Sequence, residues 1–173
     1  MSLYSISLFL HITGALALFG VLCLEWASLS GLRRATTTSQ VGEWAGLQRA
    51  ARLAGVAAGT ILITGIYLSA TRWGAPAWVI VGFAAMATMA ILGPALGRRR
   101  FVALGRAVPA GDGPIPSPLE RQLRDPVLAM SLSVRTALFL GIVFLMSSKP
   151  GAAGALVVMG VALALGLAAG FRI

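Results

Sequence analysis

The sequence predicts an all-α protein, a polytopic integral membrane bundle of five transmembrane helices in a single domain over residues 1–173. Two observations predict this fold. Hydrophobic residues make up 58% of the chain and charged residues only 11%, whereas an ordinary soluble domain has about 25% charged residues. The apolar residues also fall into long stretches with almost no charge, and each is long enough to cross a bilayer at about 1.5 Å rise per residue.

Each predicted helix follows from one of these stretches. The helices span about residues 3–24, 53–70, 77–96, 127–146 and 151–171. The first four stretches are strongly apolar, whereas the fifth is rich in Gly and Ala but carries no charge before Arg172. In the third, Pro94 predicts a kink or a loosened last turn, because proline removes a backbone donor.

The second and fifth helices also carry a packing signal. Small residues recur at four-residue spacing in both, at Ala51, Gly55 and Gly59 in the second and at Ala162, Gly166 and Gly170 in the fifth. Small residues at this spacing let two helix backbones approach closely, which drives association where lipid competes for apolar contact. The pattern predicts a compact bundle but does not indicate which helix is the neighbour.

The basic residues predict the orientation. The two long connections, residues 28–52 and 97–126, contain four and six arginines, and Arg172 follows the last helix, which gives eleven basic residues on one side. The other side has only Arg72 and Lys149. Because cytoplasmic loops carry the excess of Lys and Arg, the N-terminus is predicted outside and both long loops and the C-terminus in the cytoplasm.

Both long connections are predicted as loops with short helical pieces. Residues 39–52 could form an interfacial helix that leads into the second span. The segment VPAGDGPIPSPLE contains four prolines, which predict a surface loop, followed by a short helix over residues 119–124.

The net charge of +9 would indicate a nucleic-acid partner in a soluble protein. Here the arginines cluster in the predicted cytoplasmic loops, so the lipid bilayer is the predicted partner and nucleic acid is not. Cys23 is the only cysteine, which excludes an intrachain disulfide. A homo-oligomer or membership of a larger membrane complex stays open.

Arg135 is the most informative charge, because it lies about eight residues into the fourth predicted helix. An arginine at that depth costs on the order of 3 kcal/mol even on the lenient insertion scale, so a partner must offset it. Glu25 is the acidic residue within reach, and Asp125 is the alternative. The pair is either a structural lock between two helices or part of an anion or proton site.

His11 is the only histidine, and it lies fourteen residues before Glu25 on the same face of the first helix. This face should point into the bundle. One interpretation is a hydrogen bond to a neighbouring polar side chain, with three candidates: Thr13, Thr60 and Thr64. The other is axial ligation of a haem, such as haem b, or of a metal, because neutral imidazole is the usual nitrogen ligand.

Met86 and Met89, one turn apart in the third helix, are candidate metal ligands. Thioether sulfur together with imidazole suits Cu(I), although methionines in an apolar helix also serve as core filler. The sequence contains no zinc pattern, no phosphate-binding glycine loop and no Ser-His-Asp set. Whether the protein is an enzyme is left open.

Two segments resemble known families. LFLHITGALALFG, residues 8–20, and VRTALFLGIVFLMSSKPG, residues 134–151, resemble a family of small bacterial integral membrane proteins of unknown function. More distantly, the first helix is similar to that of copper-resistance-protein-D-like and protoporphyrinogen-oxidase-like membrane proteins. The resemblance implies a bacterial inner (plasma) membrane location, and it implies that His11 ligates haem.

Three functions are therefore predicted as alternatives. The first is a haem-binding or redox accessory protein of the inner membrane. The second is a small transporter or permease for a metal ion or a small solute that uses Arg135, Glu25 and the methionines of the third helix. The third is a structural subunit of a larger membrane complex.

Overall fold

The computed structural model describes residues 2–109 and 111–172, without the side chains of residues 50 and 51. Throughout this part the chain is helical apart from short connections, which confirms the all-α prediction. In chain order the α-helices are α1 (Leu3–Arg34), α2 (Thr38–Leu47), α3 (Leu53–Leu68), α4 (Ala77–Leu92), α5 (Arg99–Ala107), α6 (Ser117–Leu123), α7 (Pro126–Ser148) and α8 (Ala152–Arg172).

Five helical stretches of the described chain are long and apolar enough to cross a membrane, as the sequence predicts. They are Leu3–Arg34, Leu53–Trp73, Ala77–Ala107, Ser117–Ser148 and Ala152–Arg172. The stretches run antiparallel in succession, so α1 and α8 end where α3 and α7 begin. We call this end of the bundle the arginine-rich end, because eleven of the fourteen basic residues lie in the segments around it.

Two helices extend beyond their predicted ends. The first continues to Arg34 instead of stopping at residue 24, and the third continues through α5 to Ala107 instead of stopping at residue 96. The hydropathy of the sequence drops where the apolar stretch ends. The helical backbone hydrogen bonds continue beyond that point, because apolar side chains there still pack against other helices. Leu29, Leu32 and Leu104 provide these contacts, since each is almost completely buried. The predicted loops 28–52 and 97–126 are therefore mostly helical.

Helix α2 lies against the extended end of α1. The Ser28 hydroxyl donates a 2.8 Å hydrogen bond to the Trp44 carbonyl. The Trp44 ring covers Gly31 so closely that a Cβ there would lie 2.1 Å from the indole Cδ2. A glycine is thus required at this contact, which places the turn Gln48–Arg52 beside the core of the bundle.

Pro94 lies in a π-helical turn, Gly93–Arg98, which joins α4 to α5. Proline cannot donate the backbone hydrogen bond of a regular α-helix, and the helix widens there to π geometry. The predicted loosening of the last turn is confirmed.

The bundle consists of two packed groups of helices. Helix α3 packs mainly on α1, whereas α4 and α8 pack mainly on α7, which is the most buried of the membrane-length stretches. Although α3 and α4 are consecutive in the chain, they make few contacts with each other. A gap therefore separates the backbones of α3 and α4, and the Phe83 side chain of α4 reaches across it to Gly65 of α3 at the end away from the arginines.

The small residues of the second predicted helix do not pack closely, and that part of the prediction is wrong. Among the described residues, a Cβ at Gly55 or at Gly59 would meet no atom within 4 Å.

The small residues of the fifth predicted helix do allow close packing, between α7 and α8. A Cβ at Gly166 would lie 2.8 Å from the Val134 Cα, and a Cβ at Gly170 would lie 2.8 Å from the Met130 Cα. Ala162 faces Gly141 at the same interface. Because the obstructing atoms at the two α8 glycines are backbone atoms, larger side chains cannot be accommodated by a rotamer change.

Gly166→Leu should separate α7 from α8 and lower the free energy of unfolding by about 1–3 kcal/mol, the usual effect of overpacking. Equilibrium unfolding in mixed micelles measures it. Gly160→Leu is the matched control on the same helix, because a Cβ there meets no atom within 4 Å. Equal destabilisation by both changes would show that the close contact at Gly166 does not limit stability.

Candidate functional site

Glu25 of α1 and Arg135 of α7 form an ion pair in the interior of the bundle. The Arg135 Nη1 donates to Glu25 Oε1 at 3.3 Å, and Nη2 donates to Glu25 Oε2. The residues are only 7% and 9% exposed, respectively. The structure thus brings together the two charges that the sequence analysis singled out.

Asp125, the alternative partner, is engaged elsewhere, and that part of the prediction is wrong. Its Oδ1 accepts a hydrogen bond from the Val127 backbone N–H at 2.9 Å and caps the start of α7. Its Oδ2 accepts a 2.8 Å hydrogen bond from the Nε of Arg100. Because it lies at the helix start, it cannot also reach the Arg135 guanidinium, which is more than two helical turns further along α7.

A second polar contact between α1 and α7 lies next to the ion pair. The indole N–H of Trp26 donates to the Thr136 hydroxyl at 3.0 Å, and that hydroxyl donates to the Leu132 carbonyl at 2.8 Å. The sequence analysis did not identify this contact. The sequence does contain a sign of it, because Trp26 directly follows Glu25 and Thr136 directly follows Arg135.

The Arg135 guanidinium also lies against the π-helical turn. A Cβ at Gly93 would be 3.5 Å from Nη1, and a Cβ at Gly97 would be 3.8 Å from Nη2. Two glycines and a widened turn therefore make room for the guanidinium beside α4. Among the described residues nothing accepts a hydrogen bond from the Arg135 Nε. The ion pair with Glu25 therefore leaves part of the hydrogen-bonding capacity of the guanidinium unused.

A cavity of about 600 Å³ opens beside this ion pair, between the α1–α3 group and α4. This volume is in the range of about 300–1,000 Å³ that is common for ligand sites. Much of the wall is apolar and comes from α1, α3 and α4, with Leu18, Leu22, Met86 and Met89 among its side chains. The two methionines thus share a cavity with Glu25 and Arg135.

The polar part of the cavity wall is strongly basic. It includes Arg49, Arg52, Arg98 and Arg135, with Glu25 as its acidic residue. Arg135 is neutralised by Glu25. Within the described part of the chain, the other three arginines form no ion pair, and all three are exposed. The cavity therefore combines an apolar interior with a positive rim at the arginine-rich end.

His11 lies outside this cavity, on the face of α1 that contacts α3. Its Nδ1 is 3.1 Å from the Ile61 carbonyl and 3.1 Å from the Thr64 hydroxyl. Since a carbonyl only accepts, Nδ1 carries the proton, and the Thr64 hydroxyl donates to the Thr60 carbonyl at 2.5 Å. Thr64, one of the three predicted partners, is thus the side chain that contacts the imidazole.

His11 also borders a second, small cavity of about 40 Å³. It is lined mainly by apolar side chains, among them Phe83, Met86 and Met146. About 30 Å³ is the volume of one water molecule in the liquid, whereas a macrocyclic cofactor needs several hundred cubic ångströms. The residues around His11 therefore do not fit a haem.

The methionine pair is divided between the two cavities. Met86 lines both of them, whereas Met89 lines only the large one. Of the two methionines predicted as metal ligands, Met86 is thus the one that the described structure places at the cavity bordered by His11. Both methionines are buried, which is also what core filling requires.

Comparisons of the chain with protein families, with curated proteins and with solved structures each find no match. The resemblances drawn from residues 8–20 and 134–151 therefore stay predictions.

Removing one member of the buried pair should leave the other charge without a partner. Arg135→Leu and Glu25→Gln should each lower the free energy of unfolding by about 3–5 kcal/mol. The double variant should recover much of this loss, because it leaves no unpaired charge. Equilibrium unfolding of the three variants in mixed micelles provides the measurement.

The exposed pair between Arg124 and Glu120, with 3.4 Å between nitrogen and oxygen, is the control. Arg124→Gln should change the stability by no more than about 1 kcal/mol. A double variant of the buried pair that is no more stable than the single variants would refute the energetic coupling of Glu25 with Arg135.

Proposed function

We propose that the protein is a multi-pass membrane protein that binds an amphiphilic anion in the large cavity at its arginine-rich end. The observation that supports this function is the combination of an apolar interior with three exposed arginines at the rim, which form no ion pair with the described residues. An apolar cavity alone would suit any hydrophobic molecule, and an arginine cluster alone would suit any anion. Together they favour a ligand with an apolar body and an anionic end.

We also propose that the arginine-rich end faces the cytoplasm of a bacterial cell at its inner membrane, with the N-terminus outside. The support is the ratio of eleven basic residues to two. In this orientation the rim of the cavity lies at the cytoplasmic surface. Anionic lipids there give the surface a negative potential.

The orientation can be tested with a single cysteine at the exposed Ser117, in a variant that lacks Cys23. A membrane-impermeant maleimide should label it in inverted membrane vesicles and not in intact spheroplasts, because the proposed orientation places Ser117, the first residue of α6, in the cytoplasm. Labelling from the outside of spheroplasts would reverse the orientation.

The haem-binding interpretation is not proposed further, because the cavity beside His11 is too small for the cofactor. Movement of the ligand across the membrane is a second candidate. It is favoured by Met86, which lines both the large cavity and the small one near the opposite end. Its side chain is flexible and lies where a path between the two cavities would have to pass, so we propose that its movement connects them. Flux of decyl phosphate across protein-containing liposomes, above the rate of protein-free liposomes, distinguishes a carrier from a binding protein.

Binding itself can be tested by thermal unfolding in a neutral detergent. Decyl phosphate should raise the unfolding temperature because ligand binding stabilises the folded state. Decyl phosphocholine, which has the same chain and no net charge, should raise it much less. Arg98→Gln should remove at least half of the shift.

Arg99→Gln is the matched control, since Arg99 is the next residue, is exposed and does not line the cavity. It has the same effect on net charge and should retain the full shift. Equal shifts with the two amphiphiles, or equal losses in the two variants, would contradict a specific anion site.

A further inference from the structure

We infer that the amphiphile is an anionic phospholipid, which enters the cavity sideways from the cytoplasmic leaflet through the gap between α3 and α4. This inference rests on the proposed function, since it names the class of ligand for the same site. The shape of the cavity, its depth and the placement of its charges each support it.

The shape of the cavity favours entry from the bilayer. Helix α3 packs on α1 and α4 packs on α7, while α3 and α4 make few contacts with each other. The cavity has residues of both α3 and α4 in its wall, including Gly55 and Ala90, which are themselves exposed. A bilayer lipid can therefore slide between the two helices without passing through water.

The depth of the cavity matches one leaflet. Along the α4–α5 stretch the wall runs from Met86 to Val102, and the twelve-residue part between Met86 and the rim at Arg98 spans about 18 Å. Half of the hydrocarbon thickness of a bilayer is about 15 Å. An acyl chain that begins at the rim thus reaches the level of Met86, near the middle of the membrane.

The charges lie where a phospholipid needs them. Arg49, Arg52 and Arg98 occupy the rim, at the level of a headgroup phosphate, and guanidinium groups bind phosphate oxygens through paired hydrogen bonds. Further inside, Glu25 neutralises Arg135. The interior therefore presents little net charge to the acyl chain, while the rim is positive and selects an anionic headgroup over a zwitterionic one.

Lipid selection can be measured by native mass spectrometry of the full chain, released from micelles that contain equal amounts of dioleoyl phosphatidylglycerol and dioleoyl phosphatidylcholine. We expect phosphatidylglycerol adducts to exceed phosphatidylcholine adducts at least fivefold. Replacing Arg49, Arg52 and Arg98 together with Gln should remove the preference. The control replaces three exposed arginines that do not line the cavity, Arg99, Arg106 and Arg121, and should keep it.

Sideways entry has its own pair of variants. A Cβ at Gly55 or at Gly59 meets no atom within 4 Å, but only Gly55 lines the cavity. Gly55→Trp should fill the gap and reduce phosphatidylglycerol adducts at least fivefold, whereas Gly59→Trp should leave them unchanged. Circular dichroism and gel filtration show that both variants are folded.

The outcomes separate the inference from the proposed function. If decyl phosphate stabilises the protein but no phosphatidylglycerol preference exists, the ligand is a water-borne anion and the inference fails alone. If neither amphiphile binds, the proposed function fails as well. A preference that survives the replacement of Arg49, Arg52 and Arg98, or phosphatidylglycerol adducts that Gly55→Trp does not reduce, would overturn the assigned position of the lipid.

Discussion

The buried ion pair between Glu25 and Arg135 is the constraint on which the rest of the structure depends. It joins the two groups of helices, α1 with α3 and α7 with α4 and α8, at one level of the bundle. A buried pair tolerates little displacement, because separation would leave two charges with neither partner nor water. Together with the adjacent bond from Trp26 to Thr136, it fixes how far α1 slides along α7.

This fixed register explains why a cavity can exist in a bundle whose helices pack closely through small residues. Glycines bring α8 onto α7 and Gly14 brings α1 onto α3, so each group is tightly packed within itself. Between the groups, contact is made at α1 and α7 and is sparse at α3 and α4. The space that results is bordered by the ion pair on its inner side and opens towards the surface that lipid would occupy.

The sequence could predict the features that depend on composition or on a single charge. Five long apolar stretches predict the number of membrane-length helices, and an arginine in the fourth stretch requires an acid, for which Glu25 was the nearest choice. It could not predict where α1 ends, because hydropathy falls at residue 24 while helical hydrogen bonding continues to Arg34. It also could not predict the cavity, since the lack of contact between α3 and α4 has no local signal. In the sequence, Arg49, Arg52 and Arg98 therefore indicate only which end of the bundle faces the cytoplasm.

The length of α1 has a mechanical consequence. Its 32 residues form a rod of about 48 Å, whereas the hydrocarbon core of a bilayer is about 30 Å thick. In the proposed orientation, the projecting part carries α2, and α2 leads directly into the turn that holds Arg49 and Arg52. A thinner bilayer tilts a helix of this length further, and tilt at the centre becomes sideways displacement at the tip. In the proposed orientation, we therefore expect the spacing between these arginines and Arg98 to depend on the thickness of the surrounding membrane.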